Sequence, residues 1–242
     1  MKNLYKQVLT KLNKIPGGKT KEHRAWVQKY LGSNKSTRGI KSGELVRLAK
    51  EIVKEEDLNL EEFISLIDSL YENAKTFQEA ELAARILGAA PKLRKQIDPR
   101  KLDHWLNFTH GWAENDALTQ NNFTSEELLG NWKIWKKLLT DFSKDKNIHK
   151  RRASVVLLVK SVRDSNDKRL SDMAFRNVEK LKNEEDILIT KAVSWILRSL
   201  IKNHKKEVAD YLKKNKETLP KIAVREVTTK LATGRKTKKV KK

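Results

Sequence analysis

The chain of 242 residues contains no cysteine. Disulfides, thiolate metal sites and cysteine nucleophiles are therefore excluded. Proline occurs four times and glycine nine times, so little punctuates the chain between long elements. No apolar stretch is long enough to span a bilayer. The opening "MKNLYKQVLTKLNK" lacks the apolar core of a signal peptide. Five histidines are scattered without HExxH spacing, so no metal is expected. Negative charge is also scarce: 31 acidic residues face 53 Lys and Arg, a formal net charge of +22. Such an excess draws polyanions, nucleic acid most commonly, with an anionic membrane surface as the rival. The simplest expectation is an intracellular, cytoplasmic protein.

What is present is helical nearly throughout. In "SGELVRLAKEIVKEE" the apolar residues Leu45, Leu48, Ile52 and Val53 recur at helical spacing. "LEEFISLIDSLYENA" repeats the pattern with Phe63, Ile64, Ile67, Leu70 and Tyr71, and "FQEAELAARILGAA" is rich in alanine and leucine, which suits tight packing. Thr124 followed by Glu127 forms a capping-box pattern ahead of "LLGNWKIWKKLL". The run "VVLLV" (155–159) could be a buried strand, but Arg151, Arg152 and Lys160 extend a helical stripe around it, so helix is expected. Roughly a dozen helices of about 10–20 residues result, with short connectors. Each is too amphipathic to stand alone, which predicts an all-α fold, an α-solenoid of antiparallel helix pairs. The longest polar connector is "GSNKSTRGIKSG" (32–43). Residues 1–233 are expected to form one repeat domain. Residues 234–242, "GRKTKKVKK", read as a disordered basic tail.

One short stretch raises a chemical question. In "HGWAENDALTQNNF" (110–123) Trp112 and Asp116 stand four positions apart, on one helix face. By chance such a pair is a core tryptophan beside a surface acid. Four further stretches change its weight: "YLGSNKSTRGI", with Tyr30 nine residues before Gly39; "NIHKRRA", with Arg151 and Arg152; "KAVSWILRS", with Trp195 and Arg198; and "VREVTTKL". In this order they resemble the HEAT-like-repeat DNA glycosylases of the AlkD type, over residues about 25–232. The chain departs from that pattern at Ser36, Thr37 and Arg38, where aromatics are usual. It departs again at Asn115, where an apolar residue is usual, and at His149 and Ser194, in place of tryptophan and glycine.

The resemblance implies an α-solenoid of HEAT-like antiparallel helix pairs with a concave basic groove, and excision of cationic N3- or N7-alkylpurines from duplex DNA without a metal or other cofactor. Asp116 would stabilise the oxocarbenium-like sugar and position water. Trp112 and Trp195 would flank the sugar and Tyr30 would complete the cleft, while Arg151 and Arg198 (or Arg152, if the helix phase differs) would grip phosphates. The duplex partner would be bound by a monomer. Trp105, Trp132 and Trp135 are read as packing, His104 and His110 carry no assigned chemistry, and Glu114 should face away from Asp116. Core packing competes with function for Trp112 and Trp195, and a solvated face for Arg151 and Arg152. Two rival functions share the charge: a noncatalytic solenoid preferring bent or branched DNA, and a scaffold for an acidic protein.

Overall fold

A computed structural model of the chain describes residues 2–18, 20–120 and 122–236. All regular structure among them is helical, apart from one isolated bridge between Ser36 and Thr76. No helix among them is long and apolar enough to cross a membrane. The chain divides into two compact units, residues 1–122 and 123–242.

In the first unit the helices are α1 (Lys2–Lys14), α2 (Lys21–Leu31), α3 (Ser42–Glu55), α4 (Leu60–Glu72), α5 (Phe77–Ala89), α6 (Pro91–Arg94), α7 (Lys101–Trp105) and α8 (Gly111–Thr119). The centre is α5, which packs on α3, α4 and α8. Its alanines at 80, 83 and 84 are buried, and their small size lets neighbouring helices approach. The apolar stripes read from the sequence face inward: Leu45, Leu48 and Ile52 on α3, and Phe63, Ile67, Leu70 and Tyr71 on α4. Asn59 and Glu62 close a capping box that starts α4. Trp105 is buried, stacked on Tyr71 at 6.1 Å, with its Nε1–H donating to Asp68 at 2.7 Å.

The second unit contains α9 (Ser125–Gly130), α10 (Trp132–Phe142), α11 (Ile148–Asp164), α12 (Lys168–Leu181), α13 (Ile187–Leu200), α14 (Lys205–Lys214) and α15 (Lys221–Thr233). These follow the expected paired pattern: α10 with α11, α12 with α13, α14 with α15, while α11, α13 and α15 pack in succession as one row. "VVLLV" lies inside α11 with all five side chains buried, so it is helix. The burial all round explains why periodicity alone left a strand open. The Thr124–Glu127 capping box is formed. Trp135 is buried edge-on to Phe123, and Trp132 is half-buried.

Residues 91–130 differ from the expected long helices. Among the described residues, four short α-helices, α6–α9, and a 3-10 helix, Leu106–Phe108, occupy them. Pro91 opens α6 and Gly111 opens α8 at φ +71°. Proline removes a backbone donor and glycine permits the left-handed region, so each restarts the chain direction. The C-terminal Gly234 caps α15 at φ +70°. Residues 237–242 of the expected basic tail lie outside the described residues.

Candidate active site and nucleic-acid contacts

The site begins with two glycines. Gly32 ends α2 in the left-handed conformation (φ +68°), and Gly111 begins α8 at φ +71°. The two backbones touch: a Cβ on Gly111 would lie 2.4 Å from the carbonyl carbon and oxygen of Gly32 and 2.5 Å from the oxygen of Leu31. Only glycine fits both the space and the dihedral. This close approach brings Tyr30, near the end of α2, onto Trp112 in the first turn of α8. The indole Nε1–H donates to the Tyr30 carbonyl oxygen at 2.7 Å, and the two rings meet edge-on at 5.4 Å. Gly111→Ala is expected to lower stability by roughly 2–3 kcal/mol and to separate the two rings. Chemical denaturation checks this, and a change under about 0.5 kcal/mol would show that the helix ends are not locked together.

Asp116 lies one turn beyond Trp112 and is 8 % exposed. Both line an open cavity of about 510 Å³ within the first unit. Its walls come from α2 (His23, Val27, Leu31), the 37–41 connector, Ser42 at the start of α3, α5 (Gln78, Glu81, Arg85) and α8. So Asp116 is mostly buried, but it borders a space rather than sitting in solid packing. The cavity holds a second carboxylate, Glu81, which is engaged: it accepts from Ser42 Oγ at 2.8 Å and from Arg85 Nη2 at 2.7 Å. Asn122 fastens the C-terminal end of α8, donating to the carbonyls of Leu118 at 2.9 Å, Ala117 at 3.1 Å and, across on α5, Ala84 at 3.2 Å.

Glu114 faces away from the cavity, as its spacing from Asp116 predicts. It is nevertheless central to the local architecture. Its carboxylate accepts from Ser33 Oγ, from Lys35 Nζ at 2.7 Å and from the backbone N–H of His110 at 3.0 Å. The last contact satisfies an orphan donor at the start of α8. Lys35 also donates to the Phe108 carbonyl at 2.7 Å. The connector after α2 is thereby bound to the helix that carries Trp112 and Asp116. Burial, with Lys35 nearby, holds the His110 imidazole below its ordinary pKa, and Glu114 opposes this.

The polar residues that stand in for aromatics in the 36–38 stretch have structural partners. Thr37 Oγ1 accepts from Gln78 Nε2 at 2.9 Å, and the Arg38 backbone N–H donates to Gln78 Oε1 at 2.9 Å. The Arg38 guanidinium binds the carbonyls of Leu12 at 3.0 Å and Ile15 at 3.0 Å, tying the connector to the end of α1. Asn115 is fully buried within α8.

The remaining expected residues belong to the second unit. Arg151, in the first turn of α11, forms a two-pronged pair with Glu184 at 2.8 and 3.0 Å, and its third nitrogen donates to the carbonyls of Asp145 and Lys146. Arg152 is 4 % exposed and donates to the Leu188 carbonyl on α13. Of this adjacent pair, Arg151 is the more exposed, with 21 % of its side chain accessible. Arg198 Nε lies 3.2 Å from Glu226, and Ser194 Oγ donates to the same carboxylate at 2.7 Å. Ser194, where glycine is usual, is thus part of that ion pair. Burial lowers the pKa of Arg198, while Glu226 opposes the shift; the guanidinium nevertheless keeps its charge near neutral pH. Trp195 is half-buried on α13. Among the described residues no group of three or more His, Asp or Glu side chains is arranged to hold a metal ion.

Sequence reasoning passed over Trp26, Glu81 and Arg85. The signal for Trp26 was present, an aromatic four residues before Tyr30, but "KEHRAWVQKYL" shows no partner for that face.

No curated protein matches this chain. A solved structure described as a predicted DNA alkylation repair enzyme from Enterococcus faecalis superposes with a TM-score of 0.72 at 19 % identity, covering 90 % of this chain and 99 % of that one. At this identity the likeness is one of fold. The family model described as "DNA alkylation repair enzyme" matches residues 12–231. With a match of that length, the chain belongs to the DNA alkylation repair enzyme family.

Proposed function

We propose that the protein is an alkylpurine DNA glycosylase that hydrolyses the N-glycosidic bond of N3- or N7-alkylated purines in duplex DNA. The observation that carries this is Asp116 beside Trp112 on the wall of an open cavity in a member of an alkylation-repair family. Alkylation at N3 or N7 gives the purine a formal positive charge and makes it a good leaving group. As the bond to C1′ breaks, positive charge develops on the deoxyribose. A fixed carboxylate stabilises that charge and orients the attacking water. Unit charges about 4 Å apart at an effective dielectric of about 20 attract by about 4 kcal/mol, roughly a thousandfold in rate. The indole face of Trp112 attracts the partly positive sugar through its quadrupole. Tyr30 extends the aromatic surface.

Arg151 and Arg198 would hold phosphates, which position a duplex without reading its sequence. Each already contacts a carboxylate, Glu184 or Glu226. A phosphate must therefore share or displace that partner, and binding should be strongly salt-dependent. Arg151→Ala is expected to weaken duplex binding and to flatten its log–log salt dependence by about one unit. An unchanged slope would remove Arg151 from the phosphate contacts.

The decisive assay is release of 7-methylguanine and 3-methyladenine from methylated duplex DNA by the unmodified protein. Release supports the glycosylase. Tight, salt-sensitive binding without release favours the second reading, a noncatalytic DNA-binding relative preferring bent or branched DNA.

A further inference from the structure

Three large hydrophobic side chains are exposed among the described residues, and two of them are neighbours. Trp26 is 61 % and Tyr30 is 60 % exposed. They stand one turn apart on α2, with ring planes within 6° and centroids 5.6 Å apart. His23 continues the row at 5.8 Å from Trp26, and Trp112 closes it edge-on against Tyr30. None of the residues of α2 is buried. The mutual contact of the two rings is ordinary i, i+4 packing. That contact does not account for their open surfaces, since aromatics of this size normally bury most of their area.

The charge of the protein points to its occupant. The chain carries a formal net charge of +22, and on α2 Lys29, three residues after Trp26, shares its side of the helix with Glu22, four before it. A flat aromatic surface on a strongly basic protein is an arrangement that holds an unpaired nucleotide: the base stacks on a ring and the phosphates meet nearby cations. A base inside a duplex has both faces covered, so only an extrahelical or single-stranded base has a face to offer. An acidic peptide would satisfy the charge but not the flat surface.

We propose that Trp26 and Tyr30 form a stacking platform for an unpaired nucleobase of DNA. This rests on the DNA-binding part of the proposed function and extends it beyond the Asp116 cavity. Trp26 supplies the larger and more exposed face, and Tyr30 links the platform to Trp112.

The test uses the full chain and two fluorescent oligomers of about twelve residues, within the site sizes such platforms occupy. One is oligothymidylate; the other has the same phosphates but abasic sugars. The expected result is about tenfold tighter binding of oligothymidylate, an advantage lost in Trp26→Ala and largely kept in Trp26→Phe. Trp26→Leu keeps apolar bulk without an aromatic face and should behave like Trp26→Ala, which separates stacking from any loosening of α2. Affinity for the abasic oligomer should be equal in all four proteins. Equal loss on both oligomers, or no loss on either, overturns the platform. The unmodified protein is also assayed for release of methylated bases: no release with thymidylate binding intact counts against the glycosylase alone, and release without preferential thymidylate binding counts against the platform alone.

Discussion

Asp116→Asn should lower the single-turnover rate of 7-methylguanine release by at least about a hundredfold while duplex affinity changes less than threefold. The substitution removes one negative charge and keeps the side chain's shape. A carboxylate near the sugar interacts weakly with the neutral ground-state deoxyribose and strongly with its cationic transition state. Its loss therefore appears in the rate and hardly in binding. Burial sharpens the contrast, because Asp116 is 8 % exposed and less screened than a surface acid. Single-turnover release and anisotropy titration with the same methylated duplex separate the two quantities. A rate within about threefold of the unmodified protein would take Asp116 out of the chemistry. Equal losses in rate and affinity would make it a structural residue of α8.

Glu114→Gln should destabilise the first unit by about 3–5 kcal/mol. The Glu114 side chain is 0 % exposed and that of its partner Lys35 is 9 % exposed. Replacing the carboxylate by an amide leaves the Lys35 ammonium with little water and no counter-charge, and that orphaned charge dominates the cost. The amide can still accept from the His110 N–H, so the loss reads the charge pair rather than the helix start. Replacing both partners by apolar residues, Glu114→Leu with Lys35→Met, should recover much of the stability. Urea denaturation of the two single variants and the double variant measures the coupling. If the double variant is as unstable as the summed single losses, the pair is not a coupled unit. The result bears on function because this pair fastens the connector after α2 to the helix bearing Asp116. A loss here should reach the proposed catalytic helix without touching the Asp116 carboxylate itself.

Much of the helical order was legible in the chain. Leu45, Leu48, Ile52, Phe63, Ile67 and Leu70 are apolar at helical spacing and face the core of their unit. The Thr124–Glu127 pattern needs only neighbouring residues, and it forms. Trp112 and Asp116 share a face because four residues make about one turn. Residues 91–130 were less legible, since their short helices depend on where proline and glycine redirect the chain. Trp26 went unnoticed because exposure is a property of what fails to pack on a helix, and "KEHRAWVQKYL" does not contain that information.

Local spacing and composition, by themselves, determined an all-helical chain, an excess of positive charge, and a tryptophan and an acid on one helical face. These follow from backbone geometry and from counting, which act within a few residues or over the whole chain. Only the tertiary structure decided that Gly32 and Gly111 press two helix ends together, that Asp116 borders a cavity, that Glu114 ties Ser33 and Lys35 to α8, and that Arg151 and Arg198 already hold carboxylates. Those contacts join residues far apart in the chain, and their energies depend on the burial and shared surfaces that folding creates.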